Sequence, residues 1–255
     1  MPKIIENRLI EEFKDRVSFS REELLAFFRN YEPDLKEGTF GWRIYDLKDR
    51  NILKSLRRGL YSISYKPKYN PVLSPELIKL TRKMLEKYQE IKYCIWETDW
   101  LNEFSLHQSS KRILIIEIEK DFVESLYYHL KDNFNHDLYV NPDNKVIDFY
   151  ISESNYPVII KKLITRSPIG KRIENKVKLS TPLLEKMLVD LYIEEKLFYF
   201  CQGSELVHIY ENAIKNYTIN FTKLFSYAKR REREKEIKSF IMNNMGYLIN
   251  DIIDD

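Results

Sequence analysis

Four residues of this chain have the types and spacing to grip nucleic acid: Trp42 and Arg43 within one amphipathic stretch, and Arg57 and Arg58 at a following turn. Guanidinium groups bond phosphate oxygens and base edges, so the chemistry expected is contact with double-stranded DNA. Lys36 and Thr39 complete the candidate set, because Phe40, Ile44 and Leu47 recur at i, i+4 and i+7 and leave the other face free. Thr39 is read as the N-cap of this third helix. Past Asn51 the period shortens. Ile52 to Leu56 and Leu60 to Ile63 read as two strands, with Gly59 supplying the positive φ of a hairpin turn.

Acid-bearing clusters suggest other chemistry. Asp99, Glu117 and Glu119 could converge on Mg²⁺ as in a metal-dependent nuclease. That pattern needs an acid, one spacer and a lysine, whereas Glu119 and Lys120 are adjacent and point to opposite faces of a strand. Asp99, Glu103 and His107 fall at i, i+4 and i+8, which invites a general-base reading and equally suits a surface pair or a cap. Neither pattern is complete, so no catalytic residue is assigned and no enzyme is expected. No Gly-rich phosphate loop occurs in a chain with 6 glycines, and the four histidines show no metal spacing, so no cofactor or metal is expected. Cys94 and Cys201 stand in apolar surroundings and read as buried free thiols.

The elements that would hold the DNA-contacting residues are legible upstream. Residues 4 to 13 place Ile5, Leu9 and Phe13 on one helical face. Ser20 with Glu23 forms a capping box opening a second helix, which Pro33 ends. Residues 1 to 35 carry six Lys/Arg against eight Asp/Glu, a balance of −2, and residues 36 to 68 carry nine against three, a balance of +6. The basic charge thus falls on the elements that would face phosphate. A winged helix-turn-helix over residues 1 to 66 is the expectation.

The whole chain carries only +3 over 255 residues, so nucleic-acid affinity has to come from such a local patch. No run of eighteen apolar residues and no signal-like N-terminus is present, which predicts a cytoplasmic protein without membrane contact. Residues 66 to 75 hold three prolines and read as an extended linker. Ser74 and Pro75 then open a helix to about Tyr88, and a mixed α/β domain with a helical C-terminal part is expected over residues 76 to 255. Within it, Tyr93 to Trp96, Arg112 to Ile118, Leu138 to Val140 and Val146 to Ile151 read as strands. Trp100 to His107, a stretch capped by Asp121, and Val158 to Leu163 read as helices. Thr181-Pro182 opens a helix striped by Leu184, Leu188 and Leu191, with Glu185, Asp190 and Glu194 on its remaining surface. A last helix runs from Phe221 to about Ile241, and its charge run from Lys229 to Glu236 reads as a solvated face laced by i, i+4 pairs.

Three segments carry a family resemblance: Trp96-Glu97-Thr98-Asp99-Trp100-Leu101-Asn102-Glu103-Phe104-Ser105-Leu106-His107-Gln108, Leu184-Glu185-Lys186-Met187-Leu188-Val189-Asp190, and Tyr217-Thr218-Ile219-Asn220 with Tyr227-Ala228-Lys229-Arg230-Arg231. Together they resemble an uncharacterised bacterial family grouped with the antitoxins of AbiE-type, type IV toxin-antitoxin systems. The resemblance implies an N-terminal winged helix that represses its own operon at inverted repeats. It also implies a C-terminal domain that counteracts a nucleotidyltransferase-like toxin, without need of a stable complex. DNA contact then falls on Lys36, Thr39, Trp42, Arg43, Arg57 and Arg58, and no catalytic residue carries over. The alternative is a winged-helix regulator whose C-terminal domain senses a ligand or a protein.

Overall fold

The computed structural model describes residues 3–14, 16, 18–63 and 66–249. Its first part comprises α1 (Lys3–Phe13), β1 (Phe19–Ser20), α2 (Arg21–Arg29), α3 (Glu37–Asp49), β2 (Lys54–Arg57) and β3 (Leu60–Ser62). Ser20 caps α2 by accepting from the Glu23 backbone, and the Glu23 carboxylate accepts from the Ser20 backbone N–H at 2.7 Å, as the spacing predicted. α3 starts two residues before Thr39, with Lys36 at the N-cap and no side chain closing it. Glu37, not Thr39, stabilises that end: its carboxylate lies in the first turn, where the helix dipole favours negative charge, and pairs with Arg21. α3 stops at Asn51, whose φ of 59° lets the Ile52 N–H reach the Leu47 carbonyl at 2.9 Å. A phenylalanine-rich core of Leu9, Phe13, Leu24, Phe27, Phe28, Phe40, Ile44 and Leu47 holds the three helices together.

The β2–β3 hairpin closes a three-stranded antiparallel sheet in the order β1-β3-β2. Its Leu56 and Leu60 pack into the larger core of the remaining chain, so the hairpin is shared between the two cores. The proline-containing segment over residues 66–74 carries no helix or strand, and it is pinned. Lys66 donates to the Ile214 carbonyl, the Thr218 N–H donates to the Pro67 carbonyl, and the Arg172 guanidinium grips the Pro71 carbonyl.

Beyond it lie α4 (Pro75–Lys87), β4 (Tyr93–Glu97), β5 (Leu114–Ile118), α5 (Val123–Lys131), β6 (Leu138–Val140), α6 (Asn144–Val146), β7 (Val158–Lys162), β8 (Ile169–Glu174) and β9 (Val177–Pro182). Ser74 and Pro75 start α4 as read from sequence. The sheet order is β4-β5-β7-β6, with β4 antiparallel to β5 and the other three strands parallel. β5 is buried along its whole length, as an inner strand of such a sheet must be.

Several sequence expectations fail here. Trp100 to His107 is not one helix, since a 3-10 helix over Thr98–Glu103 stops short of His107, and Thr181-Pro182 ends β9 while the next helix opens at Leu184. Val146 to Ile151 is helical, running from α6 into one wide turn over Ile147–Ile151. Val158–Lys162 is the central parallel strand, inserted between β5 and β6, because its apolar run satisfies backbone pairing on both sides. Asp121 closes no helix: α5 begins at Val123 with Phe122 as its cap. The β8–β9 hairpin turns at Asn175 and Lys176, both with positive φ, where the sequence offers no glycine to announce it.

Four α-helices follow among the described residues: α7 (Leu184–Ile193), α8 (Ser204–Asn216), α9 (Phe221–Arg230) and α10 (Glu234–Ile249). α7 is buried on every side from Leu184 to Leu191, so Glu185 and Asp190 are interior residues and not surface decoration. The long terminal helix read from sequence is two. Glu232 adopts φ 59°, the Arg233 N–H bonds back to the Ala228 carbonyl at 3.0 Å, and this left-handed cap ends α9. Among the described residues no helix is long and apolar enough to cross a membrane.

Candidate nucleic-acid interface and a charged cleft

α3 presents an exposed face of Lys36, Thr39, Trp42 and Tyr45. The Trp42 ring is 73% exposed and meets Tyr45 edge-on at 5.8 Å, an apolar expense on a surface that burial does not explain. Arg21 ties this helix to the hairpin. Its backbone N–H donates to the Gly59 carbonyl at 2.8 Å while its guanidinium pairs with Glu37 and stacks over Phe40. The N-terminal end of α3 and the Arg58-Gly59 turn are thereby held on one edge.

The sequence-selected residues are not equivalent. Arg58 is exposed, with its backbone N–H donated to the Thr222 hydroxyl of α9 at 3.0 Å. Arg57 is half-buried. Arg43 is engaged within the protein: one nitrogen contacts both Glu32 oxygens, at 2.7 and 2.8 Å, and the guanidinium lies 5.3 Å from the Phe28 ring. Any base contact by Arg43 must compete with that carboxylate. The N-terminus of α3, Trp42 and Arg58 remain the accessible groups.

The acid clusters singled out for enzymatic chemistry do not assemble. Asp99 opens a short 3-10 turn and pairs with Arg112, Glu117 is buried against α7, and His107 lies beyond the turn on the surface. Among the described residues no three His, Cys, Asp or Glu side chains gather closely enough to hold a metal ion.

A different constellation forms where β5, β7, α7 and α9 meet. Lys186, with no exposed surface, donates to Glu117 at 2.7 Å, to Asp190 one helical turn on, and to the Tyr227 hydroxyl at 3.3 Å. Tyr227 in turn donates to Asp190 at 2.9 Å. Arg231, turned inward by the break after α9, bridges Asp190 at 2.7 Å and Glu194 at 3.0 Å. Lys161 of β7 reaches the other Glu194 oxygen at 2.5 Å. Three cations face three carboxylates, so the cluster is neutral.

The fields inside it are large. Burial disfavours the Lys186 ammonium, yet Asp190 and Glu117 outweigh burial and hold its pKa well above the usual lysine value. Burial likewise opposes ionisation of Glu194, but Lys161 and Arg231 prevail and bring it down to about 2. The Cys94 thiol, opposite Glu117 in the β4–β5 ladder, is pushed up by burial and then by that carboxylate, which leaves it inert. Sequence reading missed this network because Glu117 and Lys186 are far apart in the chain. The one local signal was Lys186 and Asp190 at i, i+4 among Leu184, Met187, Leu188 and Leu191. Two of the three resemblance segments supply Lys186, Asp190, Tyr227 and Arg231, and Glu97 of the other fastens α4 by accepting from Ser74 N–H and Oγ at 3.1 and 2.9 Å.

The outer end of the network opens into a cleft of about 750 Å³. It lies beyond the carboxyl ends of the parallel strands: Asn141 and Pro142 follow β6, Lys162 and Ile164 end and follow β7, and Glu117 nears the end of β5. The connection from β5 to β6 passes over the place of β7, and the next connection steps back to fill it. Ligands of open α/β sheets bind at such reversals of strand order.

Three helices with a short hairpin, joined to a mixed four-stranded sheet and a helical C-terminal part, define a mixed α/β protein. The chain belongs to DUF6577, a family of unknown function, whose model matches residues 39–247. The match starts within α3 and takes in the hairpin, the buried network and the cleft. No curated protein matches the chain.

Proposed function

We propose that the protein is a DNA-binding antitoxin and transcriptional autorepressor of a type IV toxin-antitoxin system, with residues 1 to 66 as a winged helix-turn-helix and residues 76 to 255 counteracting a nucleotidyltransferase-like toxin. The observation that carries the DNA half is the element order α1-β1-α2-α3-β2-β3, with the exposed α3 face and Arg58 on one edge. That is the order in which a recognition helix precedes a wing. Lys36 and Arg58 supply positive charge for phosphate, and Trp42 an apolar contact for bases. The toxin half rests on the three sequence segments that resemble the AbiE-type antitoxin group. The cleft favours a second reading, a winged-helix regulator whose C-terminal part senses a small ligand.

Fluorescence anisotropy of the full chain on duplex DNA from upstream of its own gene tests the DNA half across a salt series. Each phosphate contact contributes roughly one unit to the slope of log K against log salt, so Arg57→Ala with Arg58→Ala lowers it by about two. A fall of about one assigns contact to Arg58 alone, consistent with half-buried Arg57. An unchanged slope removes the hairpin from the interface, and no binding at low salt sinks the DNA reading. Co-expression with a neighbouring toxin gene tests the other half: unrelieved growth arrest counts against the antitoxin.

A further inference from the structure

None of the residues proposed to contact DNA lines the cleft beside the buried network, and its lining holds both charged and apolar groups. Lys161, Lys162, Lys196, Arg231 and Arg233 face three carboxylates, Glu117, Glu194 and Glu195, an excess of +2. Glu117 is already neutralised from behind by Lys186, and Glu194 is shared by Lys161 and Arg231. Lys162 and Lys196 are exposed and have no hydrogen-bond or ion-pair partner among the described residues. The same lining includes Ile147, Ile159 and Leu197, which are buried, and the partly exposed Ile193 and Tyr192, whose ring meets Phe240 at 5.3 Å.

We propose that this cleft binds a nucleotide, phosphates toward Lys162, Lys196 and Arg233 and base against Tyr192 and Ile193, and that α9 carries its occupancy to the β2–β3 hairpin. The volume of about 750 Å³ suits such a ligand, since small-molecule sites span roughly 300–1,000 Å³. Free phosphate would make no use of the partly exposed Tyr192 and Ile193, and an uncharged ring would leave the lysines unused. The position beyond the carboxyl ends of β5, β7 and β6 is where parallel sheets receive such ligands.

α9 joins the cleft to the hairpin directly. Its C-cap residue Arg231 lines the cleft. At its other end Thr222 accepts from the Arg58 N–H, and Asn220, its N-cap, donates to the Ser55 carbonyl at 3.3 Å. A phosphate that draws Arg231 from Glu194 therefore acts on the helix that seats the hairpin. This coupling rests on the DNA-binding reading; the site itself does not.

Calorimetric titration of the full chain without DNA, using ATP, GTP, AMP and inorganic phosphate, tests the site. The expected result is that at least one nucleotide binds more tightly than phosphate. Lys162→Glu with Lys196→Glu, both surface changes checked by an unaltered melting curve, should then weaken binding by about tenfold or more, and Lys178→Glu on β9 should not. Absence of nucleotide binding, phosphate binding as tightly as every nucleotide, or full binding by the double variant overturns the site. DNA affinity measured with and without the bound nucleotide tests the coupling, and a change of about fivefold in the native chain, lost in the double variant, is expected. Nucleotide binding with no change in DNA affinity overturns the coupling and keeps the site. Nucleotide binding by a chain that binds no DNA sinks the DNA reading and the coupling together while the site stands.

Discussion

Replacing Lys186 by Met isolates the energetics of the buried network. Glu117 is 1% exposed, and Lys186 is the partner its side chain has in the structure, whereas Asp190 retains Tyr227 and Arg231. Methionine fills the volume of the lysine stem, so the loss is electrostatic: the Glu117 carboxylate stays desolvated with no bonded cation, left with the field of Lys161 across the β5–β7 ladder, which Glu194 holds. Breaking a buried pair from one side costs roughly 3–5 kcal/mol. For a chain of this size that lowers the melting temperature by roughly 6–20 °C. The deficit must also depend on pH. Without the ammonium, burial favours the neutral form of the stranded carboxylate, so the folded variant gains stability from proton uptake as pH falls. The destabilisation is therefore smaller at pH 5 than at pH 8. Adding Glu117→Leu removes the stranded charge and should bring stability back to within about 1–2 kcal/mol of the native chain, because an apolar pair of similar volume avoids the desolvation cost. Urea unfolding of native, single and double variants at both pH values is the assay. A single-variant loss below about 1 kcal/mol, a loss independent of pH, or a double variant as unstable as the single would refute the reasoning.

Two further outcomes follow from the same structure. Glu194, whose pKa stands at about 2 against an ordinary 4.5, contributes on the order of 3 kcal/mol that is present above pH 4.5 and lost as pH falls toward 2. Glu194→Gln should flatten the acid side of the stability curve, and an acid limb as steep as the native one would contradict this. Gly59 turns the hairpin at φ +77° with open space where a Cβ would stand, so Gly59→Ala costs about 1 kcal/mol through backbone strain alone, read in a urea melt. A neutral Gly59→Ala would mean that the turn relaxes to another form.

Elements defined by neighbours in the chain were legible in the sequence. The Ser20–Glu23 capping box, the Ser74-Pro75 helix start, the amphipathic α3 and the Gly59 turn each depend on residues a few positions apart; each stands where its pattern put it, except that α3 takes Lys36 and not Thr39 as its N-cap. Short apolar runs were not so determined. Val158–Lys162 and Ile147–Ile151 are both five-residue runs rich in apolar residues, yet the first is a strand paired with β5 and β6 while the second closes its hydrogen bonds within one wide helical turn. The charged interior lay furthest beyond the sequence. Asp190 and Glu194 read as the wet side of a helix because local periodicity cannot say that α7 is enclosed all round, and Arg231 read as one charge in a solvated run because nothing local announces the chain reversal at Glu232. Only when tertiary packing carries Lys161, Lys186 and Arg231 to Glu117, Asp190 and Glu194 do these six charges cancel, and burial in a low-dielectric interior forces that pairing.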